Sequence, residues 1–168
     1  MTNKFPELPI PMKCAFVIAA GGISDGRGLA AALSLGAEGV CIGTRFLLSK
    51  ECSTFPAYWK RILESAATDT IITSAYSGRP TRGIINKYVE EYKKSGIDPL
   101  PWPVQWKVSE DIFEKSKKVN NADYFPLLAG QGLTLLKNEQ YAAEINEEIV
   151  CEAQRNISNL GAKLEHAN

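Results

Sequence analysis

The stretch from Val17 to Gly43 constrains the fold more than any other part of this chain. It reads as a short apolar strand, a glycine-rich turn, a helix and a second apolar strand, which make one βα unit and the strand after it. The turn from Gly21 to Gly28 has four glycines in eight residues. Short, unbroken apolar runs are typical of parallel strands that are covered on both faces. The pattern therefore predicts an α/β fold with two neighbouring parallel strands.

Capping residues and apolar spacing predict where the elements of this unit lie. The first strand is predicted over Cys14–Ala20 and the second over Val40–Ile42. Ser24 or Asp25 is suited to cap the helix between them, which should run to about Leu35. The apolar residues at helical spacing predict a buried face that comprises Leu29, Ala32, Leu33 and Leu35.

Helices and loops dominate the rest of the chain, with one further β segment predicted over Thr70–Ser74. Apolar residues at helical spacing predict a short helical turn and four helices. These are the turn over Thr44–Lys50, a helix that begins at Pro56, and helices over Arg82–Ser95, Glu110–Val119 and Glu139–Leu160. Strands are therefore concentrated near the front of the chain.

The predicted strands are too few to close a barrel. A (β/α)8 barrel typically takes about 250 residues, whereas this chain has 168. A parallel strand pair has exposed edges and needs more sheet beside it. We therefore expect an incomplete α/β structure. The expected divisions are an irregular amino-terminal segment over 1–13, a partial barrel with carboxyl-terminal helices over 14–160, and a polar tail over 161–168.

Charge and composition argue against several function classes. Nineteen basic and nineteen acidic residues cancel, and no basic patch or polybasic run favours nucleic acid or an anionic membrane surface. No apolar run approaches the ~20 residues of a membrane span. The four cysteines form no CxxC pair, so we predict no metal site, and a reducing, cytoplasmic setting is the simplest.

Two turns have the chemistry of a phosphate cradle. Backbone amides approach an anion closely only where no Cβ intervenes, which favours the turn at Gly21–Gly28 and the one at Gly43. The helix behind the first turn should point its positive end at the same place. Thr44 adds a hydroxyl donor and Arg45 a possible counter-charge. The alternative is that both are ordinary tight βα turns with a helix cap.

The segment AAGGISDGRGLAAALSLGAEGVCIGTRF closely resembles the nitronate monooxygenase family, also called 2-nitropropane dioxygenases. The resemblance continues through TDT at Thr68–Thr70, SGRPTR at 77–82 with the later Asn86, PLPWPVQW, and AGQG at Ala129–Gly132. It covers roughly residues 17 to 155 and is similar to the carboxyl-terminal portion of that family.

The resemblance implies an FMN-dependent enzyme built on a TIM barrel. This chain would be an incomplete TIM (β/α)8 barrel, with the last two βα units and a helical carboxyl-terminal segment. The implied cofactor-binding residues are Ala20, Gly21, Gly22, Ile42, Gly43 and Thr44. Family members oxidise anionic alkyl nitronates, passing electrons to the flavin, which dioxygen reoxidises. Related barrels reduce enoyl thioesters, so an enoyl reductase-like flavoprotein is an alternative.

One departure from the family pattern leaves the catalytic residues unassigned. Family members carry an amino-terminal barrel half that supplies a further flavin-binding loop and an active-site histidine. The single histidine of this chain, His166, lies in a polar stretch and matches no such motif. We therefore predict a truncated form that lacks a complete active site. The alternative is a non-catalytic barrel fragment that needs a complementary chain or self-association.

A few residues outside the two turns are weaker candidates. Gln131, between two glycines, is predicted to lie near the substrate. Arg79 and Arg82 either face the flavin mouth or a substrate carboxylate, or are surface arginines with a structural role. Three aromatic residues either wall a pocket or attach a loop to the barrel, namely Trp102, Trp106 and Tyr124.

Overall fold

The computed structural model describes residues 16–165, which form four short strands and five α-helices. The strands are β1 Ile18–Ala20, β2 Gly39–Cys41, β3 Thr70–Thr73 and β4 Thr81–Ile84. The α-helices are α1 Gly26–Ser34, α2 Pro56–Glu64, α3 Lys87–Ser95, α4 Val104–Lys118 and α5 Ala142–Glu165. Short 3₁₀ turns lie at Thr44–Leu48, Ala67–Asp69, Ala122–Tyr124 and Gln131–Leu135.

The predicted parallel strand pair is present. β1 pairs with β2 in parallel, with Ile18 opposite Gly39 and Ala20 opposite Cys41. Asp25 caps α1, because its side chain accepts hydrogen bonds from the first turn of the helix. The start of the predicted first strand, including Cys14, lies outside the described residues. The βα unit and the strand after it therefore agree with the sequence prediction.

The prediction that both faces of the strands are covered is wrong for the described chain. Phe16 is 84% exposed and Ile18 is 56% exposed. The predicted buried face of α1 is also partly wrong, because Leu33 and Leu35 are 37% and 89% exposed. α1 instead packs on α5, burying its small residues such as Ala30. Side-chain burial depends on what lies opposite, and no further strand of the described chain lies beside β1 and β2.

The core lies away from this strand pair, between α2, the β3–β4 hairpin, α3 and α4. One cluster of buried residues contains Leu48, Phe55, Tyr58, Ile62, Ile84, Ala122, Leu127, Ala129, Leu133 and Leu136. A second is mainly aromatic and contains Ala75, Tyr76, Tyr88, Val89 and Phe113. These clusters hold the loops that follow β4 and α4 in fixed positions.

The predicted helix over Arg82–Ser95 is wrong in its first part. Thr81–Ile84 is a strand that pairs antiparallel with β3, and the helix begins only at Lys87. The Asn86 side chain accepts a hydrogen bond from the Val89 amide and so caps the new helix start. Thr81 pairs with Thr73 and Ile84 with Thr70, and an argument from the helical periodicity of the segment alone missed this pairing.

The bounds of the last two helices also differ from the predictions. α4 begins at Val104 rather than at Glu110, and α5 continues past Leu160 to Glu165, the last described residue. Residues 161–165 of the predicted polar tail are therefore helical, while 166–168, including His166, and the predicted segment 1–13 lie outside the described residues. Within residues 16–165, no helix is long and apolar enough to cross a membrane.

Candidate functional site

The parallel pairing brings the two predicted glycine turns together. Ala20 lies opposite Cys41, so Gly21 and Ile42 leave the sheet at the same edge. The carboxyl ends of neighbouring parallel strands are where open α/β sheets and barrels bind ligands. The structure therefore places all six predicted cofactor-binding residues at one edge of the β1–β2 pair.

The first turn has a backbone conformation that only glycine adopts without strain. Gly21 has a φ of 93° and Gly22 a φ of 72°. A Cβ on either residue would meet no atom within 4 Å, so the glycines serve the conformation of the turn and leave open space beside it. Among the described turns and loops, no hydrogen bond uses the amides of Gly21, Gly22 or Gly43 as donors. These amides are therefore available to an anion.

The AGQG segment lies against both turns. The Gly130 amide donates a 2.9 Å hydrogen bond to the Thr44 hydroxyl oxygen. A Cβ on Gly130 would lie 3.7 Å from the Gly22 nitrogen, so the two backbones approach closely. A Cβ on Gly132 would overlap the Ser24 hydroxyl, so this glycine is needed for the contact. A third backbone segment therefore borders the two turns, and the sequence had indicated it only through the family resemblance.

The first amides of α1, at the positive end that we expected to face the phosphate, are already occupied by carboxylates. The Asp25 carboxylate accepts from the Arg27 and Gly28 amides, each at 3.1 Å. The Glu152 carboxylate, on α5, accepts from the Gly26 amide at 2.7 Å. Burial alone would raise the pKa of Asp25, but the Arg27 side chain and the two amides outweigh it and lower that pKa. The free donors of the site are therefore in the glycine turns.

Arg45 is also not the counter-charge that the sequence suggested. It is buried, with 6% of its surface exposed, and its guanidinium donates to the Asn138 carbonyl oxygen at 3.2 Å and to the Gln140 side chain. Burial lowers the pKa of Arg45 from its usual value. Its role is to attach the second turn to the segment before α5.

A cleft of about 540 Å³ opens beside the second turn. Its described lining residues are Gly43, Thr44, Leu47, Tyr58, Arg82, Trp106, Phe125, Pro126, Leu128, Ala129 and Gly130. The Tyr58 hydroxyl donates to the Leu128 carbonyl oxygen at 2.7 Å, and burial raises the pKa of this tyrosine. Most of the wall is therefore apolar and is fixed by the core. Sequence reasoning had not singled out Tyr58 or Phe125, because both occur in ordinary helix and loop patterns.

The other candidates divide between the cleft and the surface. Arg82 and Trp106 line the cleft. Arg79 instead lies 5.0 Å from the centre of the Trp102 ring. The third predicted aromatic, Tyr124, donates from its hydroxyl to the Glu91 carboxylate and is not a cleft residue. Gln131 is exposed beside the glycines of the AGQG segment. Among residues 16–165, no group of three or more histidine, cysteine or acidic side chains could hold a metal ion.

Comparison with known families agrees with this arrangement. The sequence model of the family described as Nitronate monooxygenase matches residues 11–152. The chain belongs to the nitronate monooxygenase family. The family match includes both glycine turns, the AGQG segment and the first part of α5.

Curated relatives share this family name but are much longer. The chain is 43% identical over 123 residues to a "Probable nitronate monooxygenase" of Bacillus subtilis, a match that covers 73% of this chain and 35% of the relative. It is 37% identical over 122 residues to one of Staphylococcus saprophyticus, covering 73% of this chain and 34% of the relative. The chain thus spans about one third of the length of these relatives, which fits a match to one portion of a family member.

Solved structures also match this chain over only part of their own length. A nitroalkane oxidase from Streptomyces ansochromogenes superposes with a TM-score of 0.81 at 27% identity, covering 88% of this chain and 42% of that one. FabK from Thermotoga maritima superposes with a TM-score of 0.75 at 30% identity, covering 88% and 47% of the two chains. The α/β arrangement therefore matches less than half of each of these longer proteins.

Proposed function

We propose that this chain is the flavin-phosphate-binding portion of an FMN-dependent oxidoreductase that oxidises alkyl nitronates with dioxygen. In this proposal it is an incomplete TIM (β/α)8 barrel, in which the last two βα units and the carboxyl-terminal helices together span residues 14–160. The observation that carries the proposal is the pair of adjacent glycine turns with free amides. FMN, when bound, supplies the electron acceptor. A cytoplasmic setting remains a prediction.

The residues of the site fit the phosphate of FMN. The amides of Gly21 and Gly22 donate no hydrogen bond within the described residues, and Gly43 adds another such amide one strand away. The Thr44 hydroxyl accepts from Gly130 and therefore has its own proton to donate. Ala20 and Ile42 flank the turns at the strand ends, and Gln131 is proposed to lie near the substrate. We assign no catalytic residue within this chain.

The phosphate group, rather than the ring system, should dominate flavin binding to this chain. We expect FMN to bind more tightly than riboflavin, which has the same ring but no phosphate, by about tenfold or more, because charge-assisted hydrogen bonds contribute about 1.5–3 kcal/mol. Titration of the chain with each flavin, followed by quenching of flavin fluorescence, measures both affinities. Equal affinities, or no binding of either flavin, would overturn the proposal.

The exposed strand pair favours a second candidate function. In this candidate the chain is a non-catalytic part of a barrel, and its role is to associate with a complementary chain or a second copy of itself. Phe16 is 84% exposed beside β1, and β1 and β2 each have only one strand neighbour among the described residues. Unpaired edges and apolar faces promote association. We expect the purified chain to elute above its monomer mass of 18.4 kDa when its molar mass is measured by light scattering. A monodisperse monomer at high concentration would contradict this candidate.

The family resemblance keeps an enoyl reductase-like flavoprotein as an alternative within the same cofactor class. The glycine turns serve the phosphate equally in either case, so they do not separate the two activities. The chemistry of the cleft beside the second turn separates the two activities.

A further inference from the structure

Arg82 carries the only charge among the described residues that line the cleft. It lies on β4, and most of the other side chains that line the cleft are apolar, such as Phe125 and Leu128. Arg82 is only partly buried, and apolar walls on one side of a cation strengthen its attraction to an opposite charge.

The guanidinium of Arg82 has few partners in the described chain. Its Nη1 donates to the Thr70 hydroxyl at 3.0 Å, and no described carboxylate lies within ion-pair distance of it. A guanidinium has five N–H donors, so most of its donors remain unused among residues 16–165. Arg61, by contrast, contacts the Asp123 carboxylate at 3.5 Å and donates to the Ile85 carbonyl oxygen.

Backbone hydrogen bonds hold Arg82 in place relative to the glycine turns. Its carbonyl oxygen accepts from the Ala129 amide at 3.2 Å, at the start of the AGQG segment. The next residue, Gly130, donates to Thr44 in the second turn. The Arg82 backbone is therefore connected to the second turn through one backbone hydrogen bond and one bond from a backbone amide to the Thr44 hydroxyl, and both residues border one cleft.

We infer that Arg82 binds the anionic head of a small substrate whose apolar part fills the cleft. The chemical class is a planar anion with two oxygens on an apolar substituent, which a nitronate and a carboxylate share, and which matches the guanidinium fork. The inference rests on the proposed function and deepens it, because an uncharged thioester carbonyl does not require this cation. It concerns binding only and assigns no proton or electron transfer to Arg82.

Butyrate is a suitable probe, since it has the planar two-oxygen head and an apolar tail. The full chain is titrated with butyrate in the absence and presence of FMN, and binding is followed by the NMR signal of the Trp106 indole N–H in the cleft. We expect Arg82→Gln to weaken butyrate binding about tenfold or more, because a charge-assisted pair is lost. FMN affinity should change less than about twofold, since the phosphate donors are elsewhere.

Three variants separate charge from structure. Arg82→Lys keeps the positive charge but lacks the paired N–H donors of the guanidinium, so it should lose only part of the affinity for butyrate. Thr70→Val removes the hydroxyl that Arg82 contacts but keeps the guanidinium, so butyrate should still bind. Arg79→Gln removes an arginine that lies on Trp102 outside the cleft, and it should leave butyrate binding unchanged.

The possible failures are distinguishable. If the unmodified chain binds no FMN, the proposed function fails, and the titration without FMN still tests Arg82. If the unmodified chain binds no butyrate, or if Arg82→Gln binds it equally well, the inference about Arg82 is overturned. If Arg82→Gln weakens FMN as much as butyrate, Arg82 is a flavin contact, and the inference is also overturned. If Arg82→Gln does not fold, Arg82→Lys is compared with Arg79→Gln instead. Equal butyrate affinity of these two variants would overturn the inference about Arg82.

Discussion

Replacing Gly43 with aspartate is expected to weaken FMN binding by about 100-fold, which corresponds to ~2.7 kcal/mol. The new carboxylate would stand beside the phosphate, and two unit charges 4 Å apart repel by about 4 kcal/mol near a protein surface. Gly43 has a φ of −102°, which any residue adopts, and a Cβ there would meet no atom within 4 Å. The unfolding free energy should therefore be nearly unchanged, and titration with FMN measures the binding loss directly.

Gly43→Asn is the matched control, because it has the same shape without the charge. We expect it to weaken FMN binding much less than Gly43→Asp does. Gly161→Asp adds the same charge on α5, where a Cβ meets nothing within 4 Å, and it should leave FMN affinity unchanged. Equal losses for Gly43→Asp and Gly43→Asn would mean that no anion lies beside Gly43, and the phosphate assignment of this turn would be wrong.

Replacing Gly26 with alanine is expected to lower the free energy of unfolding by about 3 kcal/mol, at the upper end of the usual cost of overpacking. A Cβ on Gly26 would lie 2.5 Å from the Ala153 nitrogen and 2.5 Å from the Ile149 oxygen, both in the backbone of α5. These atoms cannot rotate away as a side chain does, so α5 has to shift. The shift would also weaken the bond from the Gly26 amide to Glu152. Urea unfolding followed by circular dichroism measures the loss.

Gly161→Ala is the matched control for this second prediction. It is the same substitution on the partner helix, but the new methyl group meets open space. Because alanine favours a helix interior over glycine, we expect a stabilisation of about 0.5–1 kcal/mol. The two substitutions should therefore have opposite signs. A similar small effect at both sites would contradict the close packing of α1 on α5.

The first βα unit shows how much of the site a sequence contains. Its strands, the Asp25 cap and the glycine turns depend on residues that are near each other along the chain. Parallel pairing of two such strands then places both turns at one edge, because the carboxyl ends of parallel strands point the same way. The positions of Gly21, Gly22, Gly43 and Thr44 were predictable for this reason, and their role in binding FMN remains a prediction.

The contacts that complete the site join residues far apart in sequence. Glu152 reaches Gly26 across 126 residues, and Gly130 reaches Thr44 across 86. The bond from the Gly26 amide to Glu152 occupies the start of α1, which the sequence alone had suggested was available to a phosphate. The second contact brings the AGQG segment against the turn.

The sequence by itself determined a glycine-rich βα unit and its family, because glycine conformation and apolar periodicity act over a few residues. Only the tertiary structure decided that β4 is a strand, that Arg45 is a structural residue and that Arg82 faces an apolar cleft. Each of these outcomes depends on a partner that pairing or packing supplies. The physical reason is that burial and hydrogen bonding are properties of neighbours in space, and a local pattern specifies only neighbours along the chain.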